Sequence, residues 1–214
     1  YEEQTTETAR HEASVLAALA LAGVPTPTPL DLVAGEGAIA EHRGKPVAVF
    51  PFIEGDMLCQ RSVTTHRVAE VGAGLARVHE AGRALLDGPS GWAIGRSRFG
   101  PGALLRRLDA VATASPPPDV AAVLPHLAKL AADRLASPSG GEEGFVHGDL
   151  FRDNVLFEGD RLAALLDFES ASRGPLAFDL AVTILAWCYG DDLELPLARS
   201  LVRGYIGVRR IEPV

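Results

Sequence analysis

Asp149 and Asn154 stand in a D-x-x-x-x-N relation within Phe145-Val146-His147-Gly148-Asp149-Leu150-Phe151-Arg152-Asp153-Asn154. A second acidic group follows in Leu165-Leu166-Asp167-Phe168-Glu169. These residue types suit phosphoryl transfer to an alcohol. That reaction needs a carboxylate beside the attacking hydroxyl and oxygen ligands for a Mg²⁺ ion bridging the phosphates. Asp149 suits the first role; Asn154 and Asp167 suit the second. A lone D-x-x-x-x-N arises often by chance, so the weight comes from its context: His147-Gly148 before it and an Asp beyond a hairpin. Asp149 and Asp153 do not make a glycosidase pair, because they sit in one short loop and cannot flank a sugar.

The spacing predicts how these groups meet. Segments 155–157 and 162–166 flank Glu158-Gly159-Asp160-Arg161, a hairpin turn. With Gly159-Asp160 as a two-residue loop, Glu158 pairs with Arg161 and Asn154 falls opposite Leu165. Asp167 then lies two residues beyond, at the same end of the hairpin. A helix over this stretch would instead hold Asn154 and Asp167 about 20 Å apart, at about 1.5 Å per residue.

The elements around this insert are read from periodicity and breakers. Residues 2–22 are predicted as a helix behind an acidic first turn, ended by Gly23 and by Pro25, Pro27 and Pro29. Segments 30–34, 38–41 and 46–53 are predicted as strands of a small antiparallel sheet. Helical periodicity then covers 65–81, 101–113, 120–136, 176–189 and 192–209, with short strand character at 145–147. The pattern is a fragmentary β-rich lobe followed by a larger helical lobe, with ligands expected between them.

Several residues carry plainer expectations. His147 is assigned to loop architecture, and His11, His42, His66, His79 and His126 receive no role. Gly72-Ala73-Gly74 lies inside a helical pattern and reads as helix packing. Phe178 and Trp187 have core spacing, and Asp191-Asp192 reads as the acidic first turn of a helix. Arg152 could counter phosphate charge, bind a substrate carboxylate or lie solvated in its loop.

The 214 residues, 47% of them hydrophobic, suffice for a substantial core. A formal net charge of −8 argues against general nucleic-acid binding. No apolar run approaches the roughly 18 residues that a membrane span requires. Cys59 and Cys188 read as two reduced thiols, which favours a cytoplasmic protein. Tyr1-Glu2-Glu3-Gln4 is neither a signal peptide nor a Met start, so a chain numbered from inside a longer protein is expected.

The stretch 145–169 resembles the catalytic and metal-binding loops of the aminoglycoside phosphotransferase/choline kinase superfamily, relatives of the protein kinases. His147-Gly148-Asp149-Leu150-Phe151-Arg152-Asp153-Asn154 is most similar to the type II homoserine kinase branch. Pro175-Leu176-Ala177-Phe178-Asp179, Trp187-Cys188 and Gly204-Tyr205, with Arg209 after them, extend the resemblance.

It implies an α+β, bilobal protein-kinase-like fold, with a partial N-terminal lobe and hinge at 1–55 and a helical lobe at 56–214. It implies Asp149 as catalytic base or hydroxyl-orienting residue, Asn154 and Asp167 as Mg²⁺ ligands, and Asp179 as a brace beneath the loop. Residues 47–55 resemble the hinge that clasps adenine, with Phe50 as gatekeeper. The Pro51 carbonyl and the Ile53 N–H would face the base, over a floor made by Leu156 and Leu166. Glu12 matches the Glu that pairs with a phosphate-binding Lys or Arg, and that basic residue is expected upstream of Tyr1.

The implied activity is transfer of the γ-phosphoryl of Mg-ATP to a small-molecule alcohol, with L-homoserine foremost. An aminoglycoside, choline or another amino alcohol, or a non-catalytic nucleotide-binding module, are the alternatives. Oligomeric state is not legible.

Overall fold

The computed structural model describes residues 5–33, 35–87, 100–136 and 141–211. The first residues of the helix predicted over 2–22 lie outside these residues.

Helix α1 (Thr6–Leu21) begins later than its periodicity suggests, because Thr5 is extended and caps it. The Thr8 N–H donates to Thr5 Oγ1 (3.2 Å) and the Thr5 N–H to Thr8 Oγ1 (3.0 Å). Two donors that would otherwise be orphaned at the helix start are thus satisfied. Of the expected N-terminal sheet, β1 (Ala40–His42) and β2 (Lys45–Val47) are the strands that form among the described residues, as a two-stranded antiparallel pair. Residues 30–33 and 48–53 find no full partner among the described residues. The Leu30 N–H donates to the Val49 carbonyl (2.8 Å) between them.

Helix α2 (Thr65–Asp87) is the central element and runs past its predicted end. The helical hairpin α3 (Pro101–Thr113) and α4 (Pro118–Ala136) follows it. Strand β3 (Glu143–Val146) pairs antiparallel with β6 (Ser172–Pro175), and β4 (Val155–Glu158) pairs with β5 (Arg161–Leu165). Helix α5 (Leu176–Cys188) follows β6 directly. Helix α6 (Leu195–Val208) starts with Glu194 as its cap, so Asp191-Asp192 sit in the preceding turn and not in the first helical turn.

One contiguous core joins Val15, Leu16 and Leu19 of α1 to Val68, Val71, Leu75 and Val78 of α2, to Phe157, Leu162 and Leu165 of the β4–β5 hairpin, and to Trp187 and Leu201. Trp187 is fully buried as its spacing implies, but Phe178 on the same helix is 46% exposed and lies outside the core. It occupies the solvent side of a helix that is apolar nearly all round. Arg209, just past α6, is buried and bridges Glu80 (2.9 Å) and Glu142 (2.5 Å), fastening α6 to the end of α2 and to the segment entering β3.

Glycines bring α2 and α6 into backbone contact. A Cβ at Gly72 would lie 2.0 Å from the Leu201 carbonyl oxygen, and one at Gly204 would lie 2.0 Å from that of Ala69. The expected helix-packing role of Gly72 is therefore met. Gly72→Ala or Gly204→Ala must push the helices apart, and either should cost about 3 kcal/mol or more in urea unfolding. Gly207→Ala on the same helix meets nothing within 4 Å. It should be neutral or stabilise by up to about 1 kcal/mol. Equal midpoints for all three variants would refute the close-crossing account.

Candidate active site

The loop from His147 to Asn154 leaves β3 through a sharp turn at Gly148, whose φ is +82°. A Cβ there would lie 2.8 Å from the Ser170 carbonyl oxygen, so both conformation and space require glycine. The loop is then held from α5. Asp179, wholly buried, accepts hydrogen bonds from the backbone N–H groups of His147 (2.7 Å) and Gly148 (2.9 Å). Its Oδ2 also bonds His79 Nε2 at 2.9 Å, and His79 Nδ1 bonds the Tyr205 hydroxyl at 2.7 Å. Farther along α5, Trp187 Nε1 donates to the Leu150 carbonyl (3.0 Å). The brace expected at Asp179 is thus present. His79 and Tyr205 behind it were not assigned from sequence. The available signal was a polar residue on α2 beside the buried stripe of Val68, Val71, Leu75 and Val78.

His147 is fully buried and works within the loop. Its Nε2 donates to the Leu166 carbonyl (3.0 Å), and its Nδ1 accepts from the Asp149 N–H (3.3 Å). One donor and one acceptor describe a neutral imidazole. Burial pushes its pKa below the ordinary histidine value, against the opposing pull of the Asp179 charge. It links the loop carrying Asp149 to the strand end that leads into Asp167.

Asn154 closes the loop. Its Nδ2 donates to the Asp149 carbonyl (2.8 Å) and stands 3.5 Å from Asp149 Oδ2, which leaves the amide oxygen available. The hairpin turn has Glu158 opposite Arg161, as expected, but the register toward Asn154 differs by one residue. Leu156 pairs with Ala164 while Phe157 pairs with Leu162, so Ala163 is an extra residue in a β-bulge. Val155, not Asn154, therefore faces Leu165, and the Leu166 N–H donates to the Asn154 carbonyl (2.9 Å). Asp167 follows at once, one position nearer Asn154 than the bulge-free hairpin gives. It is exposed with φ +57°, a left-handed conformation that Asp tolerates, and its Oδ1 accepts from the Glu169 N–H (3.2 Å). An amide oxygen and a carboxylate at one hairpin end are hard donors of the kind that a divalent cation shares with phosphates.

The 48–55 segment leads to the edge of β4 opposite β5. It is pinned at its end by paired bonds between Asp56 and Phe157 (2.8 and 3.0 Å). Gly55 lies against Leu156, where a Cβ would come within 3.0 Å of the Leu156 Cβ. Neither the Pro51 carbonyl nor the Ile53 N–H enters a backbone–backbone hydrogen bond among the described residues. Leu156 and Leu166 are half-buried. Glu12 is half-buried on the α1 face that carries Ala9, Ala13 and Leu16. Asp149, Asn154 and Asp167 thus come together, and Leu156 meets the end of the 48–55 segment.

Known proteins resemble this chain in sequence and in fold. Homoserine kinase of Bradyrhizobium diazoefficiens is 37% identical over 204 residues, covering 90% of this chain. That of Pseudomonas aeruginosa PAO1 is 36% identical over 190 residues, covering 87%. The chain spans 57% of the length of each. Among solved structures, amicoumacin kinase hAmiN in complex with AMP-PNP, Ca²⁺ and Ami superposes over 100% of the chain and 64% of its own, with a TM-score of 0.74 at 14% identity. A choline/ethanolamine kinase family protein from Mesorhizobium loti covers 94% of the chain and 61% of its own, with a TM-score of 0.60 at 17% identity. These likenesses show the protein-kinase-like α+β fold. Residues 1–214 match the phosphotransferase enzyme family (APH), and the chain belongs to that family.

Proposed function

We propose that the protein transfers the γ-phosphoryl group of ATP to the hydroxyl of a small-molecule alcohol, and that the alcohol is L-homoserine. The observation that carries the reaction class is the assembly of Asp149, Asn154 and Asp167 around one hairpin end, on a loop tied down by Asp179. The homoserine kinases that share more than a third of their aligned residues with this chain support the acceptor.

In this reading Asp149 accepts the hydrogen bond of the acceptor hydroxyl and aims its oxygen along the line of transfer, receiving the proton as the new O–P bond forms. Asn154 and Asp167 hold Mg²⁺, which supplies charge stabilisation to the phosphates when bound. The Pro51 carbonyl and Ile53 N–H receive the adenine edge, and Leu156 and Leu166 lie beneath the ring. Glu12 orients a basic, phosphate-binding partner. Residues 1–55 and 56–214 then act as two lobes closing on the nucleotide. Most of the catalysis is positioning, which agrees with the number of bonds spent on fixing the loop.

The direct test measures ADP release by the protein expressed from its complete reading frame, with Mg-ATP and L-homoserine, kanamycin or choline. Homoserine-dependent turnover on the order of 1–100 s⁻¹ is expected, with the other acceptors at background. Faster turnover with kanamycin or choline would replace the acceptor, and no turnover with any of them would remove the activity.

A further inference from the structure

Arg152 occupies the turn between Asp149 and Asn154, Arg152–Asn154 being a single 3₁₀ turn. The residue is half-buried, and its Nη1 is fully covered without any hydrogen-bond acceptor. Nη1 alone of its nitrogens is covered and unpartnered in this way; Nε and Nη2 form the accessible edge of the half-buried side chain, and no described residue accepts from them. This is unusual in a chain of net charge −8, with Asp149 and Asp153 close by in sequence. A guanidinium stripped of water on one side and left unpaired is unfavourable until an anion engages it. The open edge presents parallel N–H donors, the geometry that matches a carboxylate bidentately.

Two anions could supply that partner: a nucleotide phosphate or a carboxylate on the acceptor. The phosphates would have a countercharge in the cation that Asn154 and Asp167 are proposed to hold. Arg152 belongs to the same short loop as Asp149, the residue assigned to the acceptor hydroxyl. We infer that Arg152 is the acceptor-specificity residue: its open guanidinium edge binds the carboxylate of a hydroxy amino acid. A cationic alcohol such as an aminoglycoside or choline gains nothing from it. This inference rests on the phosphotransferase reading above and sharpens its substrate class to alcohols that carry a carboxylate.

The test compares wild type, Arg152→Gln and Arg152→Lys, each from the complete reading frame. The acceptors are L-homoserine and 3-aminopropan-1-ol, which is the same alcohol without the carboxylate. Arg152→Gln should raise the homoserine KM roughly 10- to 100-fold, the range for losing hydrogen bonds to a charged group. Its kcat should change less than about 3-fold and its ATP KM should stay put, the pattern of lost acceptor binding. Arg152→Lys should recover part of the loss, keeping the charge without the fork. Wild type should handle 3-aminopropan-1-ol about as poorly as Arg152→Gln handles homoserine, and the substitution should then cost nothing more.

An unchanged homoserine KM in Arg152→Gln overturns the inference and leaves the phosphotransferase reading standing. A raised ATP KM, or equal losses with both acceptors, assigns Arg152 to phosphate or to loop structure and also overturns it. Wild-type preference for the carboxylate-free alcohol, or turnover of neither, overturns the inference together with the homoserine assignment.

Discussion

Asp149→Asn should lower kcat by about three orders of magnitude, within the range expected for loss of a positioned base. KM for ATP and acceptor should move little, and the thermal midpoint should shift by no more than about 2 °C, since roughly half a kcal/mol or less is at stake. The separation follows from how the residue is bonded. Its backbone does the structural work: its carbonyl accepts from Asn154 Nδ2 and its N–H donates to His147 Nδ1. Its carboxylate has only a 3.5 Å approach from Asn154 Nδ2. Neutralising that carboxylate therefore removes the proton acceptor and leaves the loop fastened. Steady-state kinetics beside thermal unfolding reads both quantities. A variant with wild-type kcat would remove Asp149 from the reaction. A variant that loses stability in parallel with activity would show its carboxylate to be part of the loop's framework.

The chemically loaded residues were legible because their roles depend on residue type and short spacing. A D-x-x-x-x-N loop followed by Gly159-Asp160 between apolar runs declares a site and a hairpin. The register of that hairpin was not legible, since the bulge falls at Ala163 in Leu162-Ala163-Ala164-Leu165 and leaves no compositional mark. Strand β6 was missed because Ser172-Arg173-Gly174-Pro175 has no β-branched or aromatic residue; it becomes a strand only by pairing with β3. The N-terminal strands failed in the opposite sense. Residues 30–34 and 48–53 have strand composition, but a strand exists only with a partner along its length. His79 and Tyr205 escaped for a related reason, since their bond spans 126 positions and nothing local announces it.

That bond belongs to the network behind the second large effect. Asp179→Asn should cost about 3–5 kcal/mol of stability, as expected when one member of a buried charged cluster is altered. The carboxylate serves three donors: the N–H groups of His147 and Gly148, and His79 Nε2. An amide can present its oxygen to only one side, so its NH₂ group must face a donor on the other. Activity should fall with stability, in contrast to Asp149→Asn, because the loop loses its anchor.

The pH profile of the unaltered protein should report the same network. Burial alone would raise the Asp179 pKa, but the His79 hydrogen bond and charge outweigh it and hold the carboxyl below its ordinary range. The His147 pKa is also depressed, here by burial. For a group depressed in the folded state, its stabilisation is complete above the unfolded-state pKa and is lost as pH falls. The His147 contribution should therefore decline below about pH 6.5, and the Asp179 contribution only below about pH 4. Unfolding free energy from urea titrations should be level between about pH 7 and 8 and then fall with decreasing pH by up to about 1.4 kcal/mol per pH unit. In His147→Gln, which cannot take up a proton, the decline between about pH 6.5 and 4 should shrink. A slope that survives unchanged in that variant would trace it to other groups and deny His147 its place as a buried, neutral link between Asp149 and the strand end before Asp167.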